Sequence, residues 1–131
     1  MLLRVYCAGK LKDAQYWREI FRKSPTVHLH ARWLAHVERE TPDTPDEAQE
    51  FWLEDQEDVQ AADALLVWAD ARDHLRGALV EVGMALAYEI SVIVIGDHPD
   101  YGTWQHHPNV HWVATFTEAE ELLESFGRRV K

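Results

Sequence analysis

Glu81 stands in the stretch Gly77-Ala78-Leu79-Val80-Glu81-Val82-Gly83-Met84-Ala85-Leu86-Ala87, where every other residue is apolar or glycine. A helix that is apolar nearly all round is largely buried. A lone carboxylate in its first turns loses hydration and must be paired or put to use. The positive end of the helix partly stabilises its charge. Two readings stand side by side: a working carboxylate in a pocket, or a side chain that reaches the rim or pairs with Arg76. The strand–loop–helix context favours the first. Gly77 permits a tight turn at the helix start and Gly83 a close approach to a neighbouring strand, though packing alone accounts for either. The second candidate carboxylate is Asp55, with Asp58 at i+3 on the same face of Glu54-Asp55-Gln56-Glu57-Asp58. A charge run on a helix is ordinarily a solvated face, and for either residue alone that reading leads.

Other chemistry-bearing types are less directed. His98, His106, His107 and His111 lie in or near one loop, but no His-Glu-x-x-His and no cysteine partner stands at ligand spacing. We expect no metal and a loop that packs over the pocket. Trp33 and Trp104 are candidates to stack on a nucleobase, and equally for core or interface packing. Cys7 is the single cysteine, so no intramolecular disulfide forms; it reads as a small buried apolar residue in a cytoplasmic protein.

The elements that must position these residues alternate. Strands are expected at 2–7, 27–33, Ala64–Ala69, 91–95 and 110–114. Helices are expected at 12–23, 46–62, 77–89 and 117–128. The second begins near Thr44 or Pro45, with Phe51, Val59 and Ala62 inward; the last is capped by Thr117 with Glu120 three residues on. The order βαβαβαβαβα gives a five-stranded parallel, doubly wound sheet, a flavodoxin-like or Rossmann-like three-layer sandwich. A site in this architecture lies beyond the carboxyl ends of the strands, which draws together 6–10, Arg32, Trp33, 70–81 and 97–107.

At 131 residues we expect one domain over 1–131, large enough to fold without a disulfide or metal. With 47% hydrophobic and 27% charged residues, wholesale disorder is excluded. The net charge of −10 argues against a nucleic-acid polymer or an anionic membrane as partner, since both need a basic face. No apolar run reaches a membrane span, and the first residues form too short a run for a signal peptide. Six tryptophans suggest a pocket or interface lining.

Three segments in order resemble the nucleoside 2-deoxyribosyltransferase family, which includes deoxynucleoside 5′-monophosphate N-glycosidases and uncharacterised phage- and bacterial-type members. They are Val5-Tyr6-Cys7-Ala8-Gly9; Asp55 with Asp63 ahead of Ala64-Leu65-Leu66-Val67; and Gly77-x-x-x-Glu81-x-Gly83-x-Ala85. The resemblance implies that Glu81 is the nucleophile at C1′ of a deoxyribose, that Tyr6 hydrogen-bonds and orients it, and that Asp55 positions the nucleoside and handles the proton of the departing base. Asp63 falls on a structural position. Gly9, Lys10, Trp33, Asp58, Asp73, Arg76, Gly77 and Trp104 are the expected substrate contacts. The chemistry suits these types: an oxocarbenium-like transition state is stabilised by a carboxylate, whose attack gives a covalent glycosyl-enzyme. The base leaves more readily when protonated. No cofactor is needed; the partner is a nucleoside or nucleotide, and the resemblance implies a homo-oligomer. The chain departs from the family pattern at Leu75, six residues before Glu81, where members commonly carry Asp or Ser. A binding module that keeps the fold without turnover is the alternative, and a protein that docks through the acidic helix around Asp55 and Asp58 is a third reading.

Overall fold

The computed structural model describes residues 3–9, 14–22, 24–25, 27–36, 44–69, 77–96 and 102–130. The strands are β1 (Leu3–Ala8), β2 (Val27–Leu29), β3 (Ala64–Ala69), β4 (Ser91–Gly96) and β5 (Val110–Val113). The helices are α1 (Ala14–Phe21), α2 (Pro45–Ala61), α3 (Gly77–Ala87) and α4 (Phe116–Val130), with 3₁₀ turns at Arg32–His36 and Thr103–His106. The sheet order is β2-β1-β3-β4-β5 and every pair is parallel. This is the doubly wound α/β architecture that the alternation predicts.

The central strands are covered on both faces, which is why β3 (Ala-Leu-Leu-Val-Trp-Ala) and β4 (Ser-Val-Ile-Val-Ile-Gly) are near-continuous apolar runs. On one face lie α2 and α3. On the other, Phe116 of α4 meets Tyr16, Trp17 and Phe21 of α1 edge-on, and Trp68 of β3 fills the gap between the two helices, stacked on Tyr16 at 4.8 Å. Asp63 joins β3 to β1: its carboxylate accepts from the Arg4 N–H at 2.8 Å, and its own N–H donates to the Arg4 carbonyl at 2.7 Å.

Several boundaries differ from expectation for local reasons. β2 ends at Leu29 rather than at 33. The His30 N–H still reaches the Val5 carbonyl at 2.7 Å, but the chain then coils. Asp58 captures it, accepting from the Arg32 backbone N–H at 2.8 Å and from Arg32 Nε at 2.9 Å, and Arg18 donates to the Leu34 carbonyl at 2.8 Å. The Trp33 indole N–H takes the Cys7 carbonyl at 2.8 Å, an acceptor on the strand beside β2. α2 starts as expected, with Thr44 capping through the Glu47 N–H at 3.2 Å and Pro45 in the first turn. α4 is capped by Thr115, not Thr117: Thr115 Oγ1 accepts from the Glu118 N–H, and the Glu118 carboxylate accepts from the Ala114 N–H, each at 3.1 Å. α3 stops at Ala87, two residues early. Glu89 adopts a left-handed φ of 62°, and the Ile90 and Glu89 N–H groups close back onto the Ala85 and Leu86 carbonyls.

Arg32 also reaches Glu57 at 3.1 Å and Glu54 at 3.8 Å, but Glu57 is 72% exposed whereas Asp58 is 4% exposed at its side chain. Burial decides which contact matters. Asp58→Ala, which orphans the Arg32 N–H, is expected to cost about 2–3 kcal/mol in urea denaturation, whereas Glu57→Ala is expected to cost under about 1 kcal/mol.

Candidate active site

Glu81 lies one turn into α3, on the side that faces the sheet, and is 6% exposed. Tyr6 lies in β1 and is fully buried. Alternation along β1 points Tyr6 and Ala8 to the α2–α3 face and Cys7 to the opposite one. The Tyr6 hydroxyl donates to Glu81 Oε2, joining groups 75 residues apart in sequence. Burial raises the Glu81 carboxyl from 4.5 to about 8, against the pull of the phenol donor toward the ionised form. The carboxyl is therefore protonated in the free protein at neutral pH.

Asp55 sits on the inward stripe of α2, formed by Ala48, Phe51, Asp55, Asp58, Val59 and Ala62, and is half-buried. The solvated face carries Asp46, Glu47, Glu50 and Glu57 instead. Trp52, three residues before Asp55, lies over Gly77: a Cβ added there would be 3.5 Å from the indole ring. α2 and α3 follow successive parallel crossovers and lie on the same face of the sheet, so Asp55 on the inward stripe of α2 and Glu81 on α3 belong to one layer. Beyond the end of α3, Gln56 donates to the Tyr88 hydroxyl at 2.9 Å, a second tie between α2 and the α3 segment.

The remaining expected residues divide. Trp33 is half-buried at the carboxyl end of β1, its N–H spent on Cys7, which leaves its ring rather than its donor for any ligand. Gly9 ends β1 against α1, and a Cβ there would stand 3.1 Å from Trp17 Nε1, so the glycine makes room for that indole. Asp58 is not available as a substrate contact, because both its oxygens hold Arg32. The same burial removes it from any docking face on α2. Gly83 does not bring α3 onto a strand: it is exposed, and a Cβ there would meet nothing within 4 Å. Trp104 lies in the 3₁₀ turn between β4 and β5, half-buried against the core and separated from β1 by β3 and β4. His107 accepts from the Asn109 N–H at 3.0 Å and His111 packs on Phe126, so both imidazoles serve local structure. Cys7 is buried and its thiol is pushed up by desolvation. Lys10, Asp73, Leu75, Arg76 and His98 lie outside the described residues. Trp52 was missed as a neighbour of the site; its signal was its place at i−3 from Asp55.

Among the described residues no group of three His, Cys, Asp or Glu could hold a metal ion, and no helix is long and apolar enough to cross a membrane.

With this geometry in hand, the fold can be set beside known structures. The CMP N-glycosidase BcmB of Clostridium botulinum matches over 94% of this chain and 98% of its own, with a TM-score of 0.57 and 16% sequence identity. The likeness is one of fold. No protein-family model matches the chain, and no curated protein does.

A carboxyl held protonated by burial makes stability depend on pH. Between pH 4.5 and about 8 the folded state keeps a proton that the unfolded chain releases, so stability falls as pH rises through this window. Glu81→Gln removes that dependence. The unfolding free energy of the variant is expected to gain on that of the wild type steadily from pH 5 to pH 8, by on the order of a few kcal/mol at most, and its melting temperature to rise in step. Parallel melting curves at both ends of the window would refute the burial argument.

Proposed function

We propose that this protein cleaves the N-glycosidic bond of nucleosides or their 5′-monophosphates, deoxynucleosides first among them, with Glu81 as the nucleophile. The buried Tyr6–Glu81 contact carries the reading: it ties an oriented carboxyl to β1, the strand beside which the sheet order reverses, where ligands of such sheets commonly bind. The fold shared with an enzyme that acts on CMP supports it.

In this mechanism the ionised Glu81 oxygen bonds to C1′ as the C1′–N bond breaks. The base takes the bonding pair and a proton from Asp55. Water then attacks C1′, gives a proton back to Asp55, and releases the sugar and the Glu81 carboxylate. A second base in place of water would make the reaction a transfer. Tyr6 holds the attacking oxygen in line. Burial leaves the Glu81 carboxylate poorly solvated once ionised, which strengthens it both as nucleophile and as counter-charge to the oxocarbenium-like transition state. The step as written uses neither metal nor organic cofactor.

The test is chromatographic: all deoxynucleosides, their 5′-monophosphates and CMP, with and without a free second base. Wild-type protein is expected to release base, Glu81→Ala to release none, and Asp55→Asn to be slower by roughly 10²–10⁴-fold. Tyr6→Phe is expected to lose up to about 10²-fold through misplacement of the attacking oxygen. Undiminished release by Glu81→Ala would end the nucleophile assignment. The pH profile is a separate check. Because Glu81 must ionise and Asp55 must hold its proton, kcat/KM is expected to be bell-shaped in pH, and Asp55→Asn to remove the limb of the group it replaces. Tyr6→Phe, lacking the donor to the carboxylate, should move the midpoint of the Glu81 limb upward. Leu75 favours a second reading, a nucleotide-binding module without turnover; saturable nucleotide binding with no product from any substrate would establish it instead.

A further inference from the structure

β5 is the last strand on its side of the sheet, with β4 as its one neighbour. Successive residues of a strand send their backbone groups to opposite sides in the plane of the sheet. The Val92 N–H takes the Asn109 carbonyl at 2.8 Å, so His111 and Val113 bond toward β4 while Val110, Trp112 and Ala114 turn outward. The chain closes two of those three N–H groups itself. Val110 donates to the His107 carbonyl at 2.9 Å, and Ala114 to the Glu118 carboxylate at 3.1 Å. Between them the N–H and carbonyl of Trp112 have no partner among the described residues. Its side chain is open too: at 47% it is the most exposed of the six tryptophans. Open edges are ordinarily blunted by charge, proline or a covering element, and Val110–Val113 carries neither proline nor fixed charge.

The two faces of this edge differ in character. Trp112 pairs with Val94, in line with Val67 and Ala8, and so stands on the α2–α3 face. α3 packs on β1, β3 and β4, which leaves the indole uncovered beyond it. On the opposite face α4 and β5 form a groove lined by Glu118, Glu121, Leu122 and Ser125. These four stand at i, i+3, i+4 and i+7, one stripe of α4. We infer that β5 takes up an extended peptide segment of a partner protein as a sixth strand, one in which basic and apolar residues alternate. An apolar residue set against Trp112 closes its N–H and carbonyl and pairs with the indole. The residues before and after it point to the α4 face and bring their cations to Glu118 and Glu121.

Charge identifies the occupant. Both ionisable carboxylates of the groove are acidic, so an anionic segment or a nucleic-acid strand is repelled and a basic segment is drawn in. A second copy joined edge to edge about a twofold would set two such acidic grooves side by side. The sheet's other edge provides the contrast. There α1 places Arg18, Glu19 and Arg22 beside β2, and the outward residue Leu29 is half-buried, with no exposed ring. A segment whose cations fit β5 therefore finds neither its counter-charges nor its aromatic partner at β2.

Binding alone is read, so the test stands apart from the proposed activity. The probe is a fluorescein-labelled peptide of alternating lysine and valine, blocked at its C-terminus and followed by anisotropy. It is expected to bind the wild type saturably, and more weakly as salt is raised. The same composition with all lysines first, and the alternating peptide with N-methylated valines, are expected to bind roughly tenfold more weakly or worse, since neither can pair with the edge in register. Trp112→Ala, at an exposed position, is expected to keep the wild-type far-UV circular dichroism and to weaken binding by roughly tenfold. Glu121→Lys is expected to weaken binding and to flatten its salt dependence. Equal binding of the N-methylated peptide would reduce the contact to charge and overturn strand addition. No binding at all, or undiminished binding by Trp112→Ala, overturns it equally. Self-association of the wild type that Trp112→Ala abolishes would give the edge to a second copy and end the inference. Should Trp112→Ala fail to fold, the N-methylated peptide and Glu121→Lys decide.

Discussion

The hydroxyl of Tyr6 meets the carboxyl of Glu81 where both side chains are buried, and each group is delivered there by a different part of the chain. Tyr6 depends on the register of β1. Pairing of Tyr6 with Leu65 is anchored at the start of β3 by Asp63, which bonds the Arg4 backbone in both directions. A slip of one residue would turn Tyr6 to the α1–α4 side and present Val5 or Cys7 to α3. Glu81 depends on the packing of α3, whose apolar residues hold it against β1, β3 and β4. The contact is thus a product of sheet register and helix packing together, which is how a hydrogen bond between residues 75 apart acquires a fixed geometry.

The same economy governs α2. Its inward stripe carries two carboxylates, Asp55 and Asp58. Asp58 closes a loop, taking the backbone and guanidinium of Arg32 and so ending β2 after three residues. That ending turns the chain across the carboxyl end of β1 and brings Trp33 to Cys7. Asp55, one turn earlier on α2, is half-buried. The Arg32 clamp and the Trp52–Gly77 contact therefore fix α2 against the rest of the molecule on both sides of Asp55.

The fold was legible because its signals are local and redundant. Ala64–Ala69 is an unbroken apolar run between polar segments, and it forms β3 with those bounds. The pairing of Glu81 with Tyr6 followed from an anomaly, a carboxylate in an apolar helix, together with a family resemblance. Errors arose where a long-range partner overrode local pattern. Nothing near Val27–Leu29 in sequence shows that Asp58, 26 residues beyond Arg32, will end the strand. Asp58 itself reads as a site residue or a solvated charge until Arg32 is seen on it. Thr117 with Glu120 reads as the cap of the last helix until Phe116 is placed among the rings of α1 and Trp68 and Thr115 takes the Glu118 N–H. Gly83 reads as a packing glycine in sequence, but among the described residues nothing would meet a Cβ added there.

α3 shows why a missing pattern is also informative. A helix covered on one side by its own sheet would ordinarily alternate apolar and polar residues at a period of 3.6. α3 breaks this on both sides: its one carboxylate points inward and its outward residues are apolar. Each violation has a cost when taken alone. An inward carboxylate loses hydration, and an outward apolar stripe orders water. Sequences that fold reliably keep such conflicts few, and those they keep tend to coincide with sites of function. The inverted polarity of α3 therefore sets, on opposite faces of eleven residues, a buried carboxylate held by Tyr6 and an uncovered apolar stripe from Val80 to Ala87.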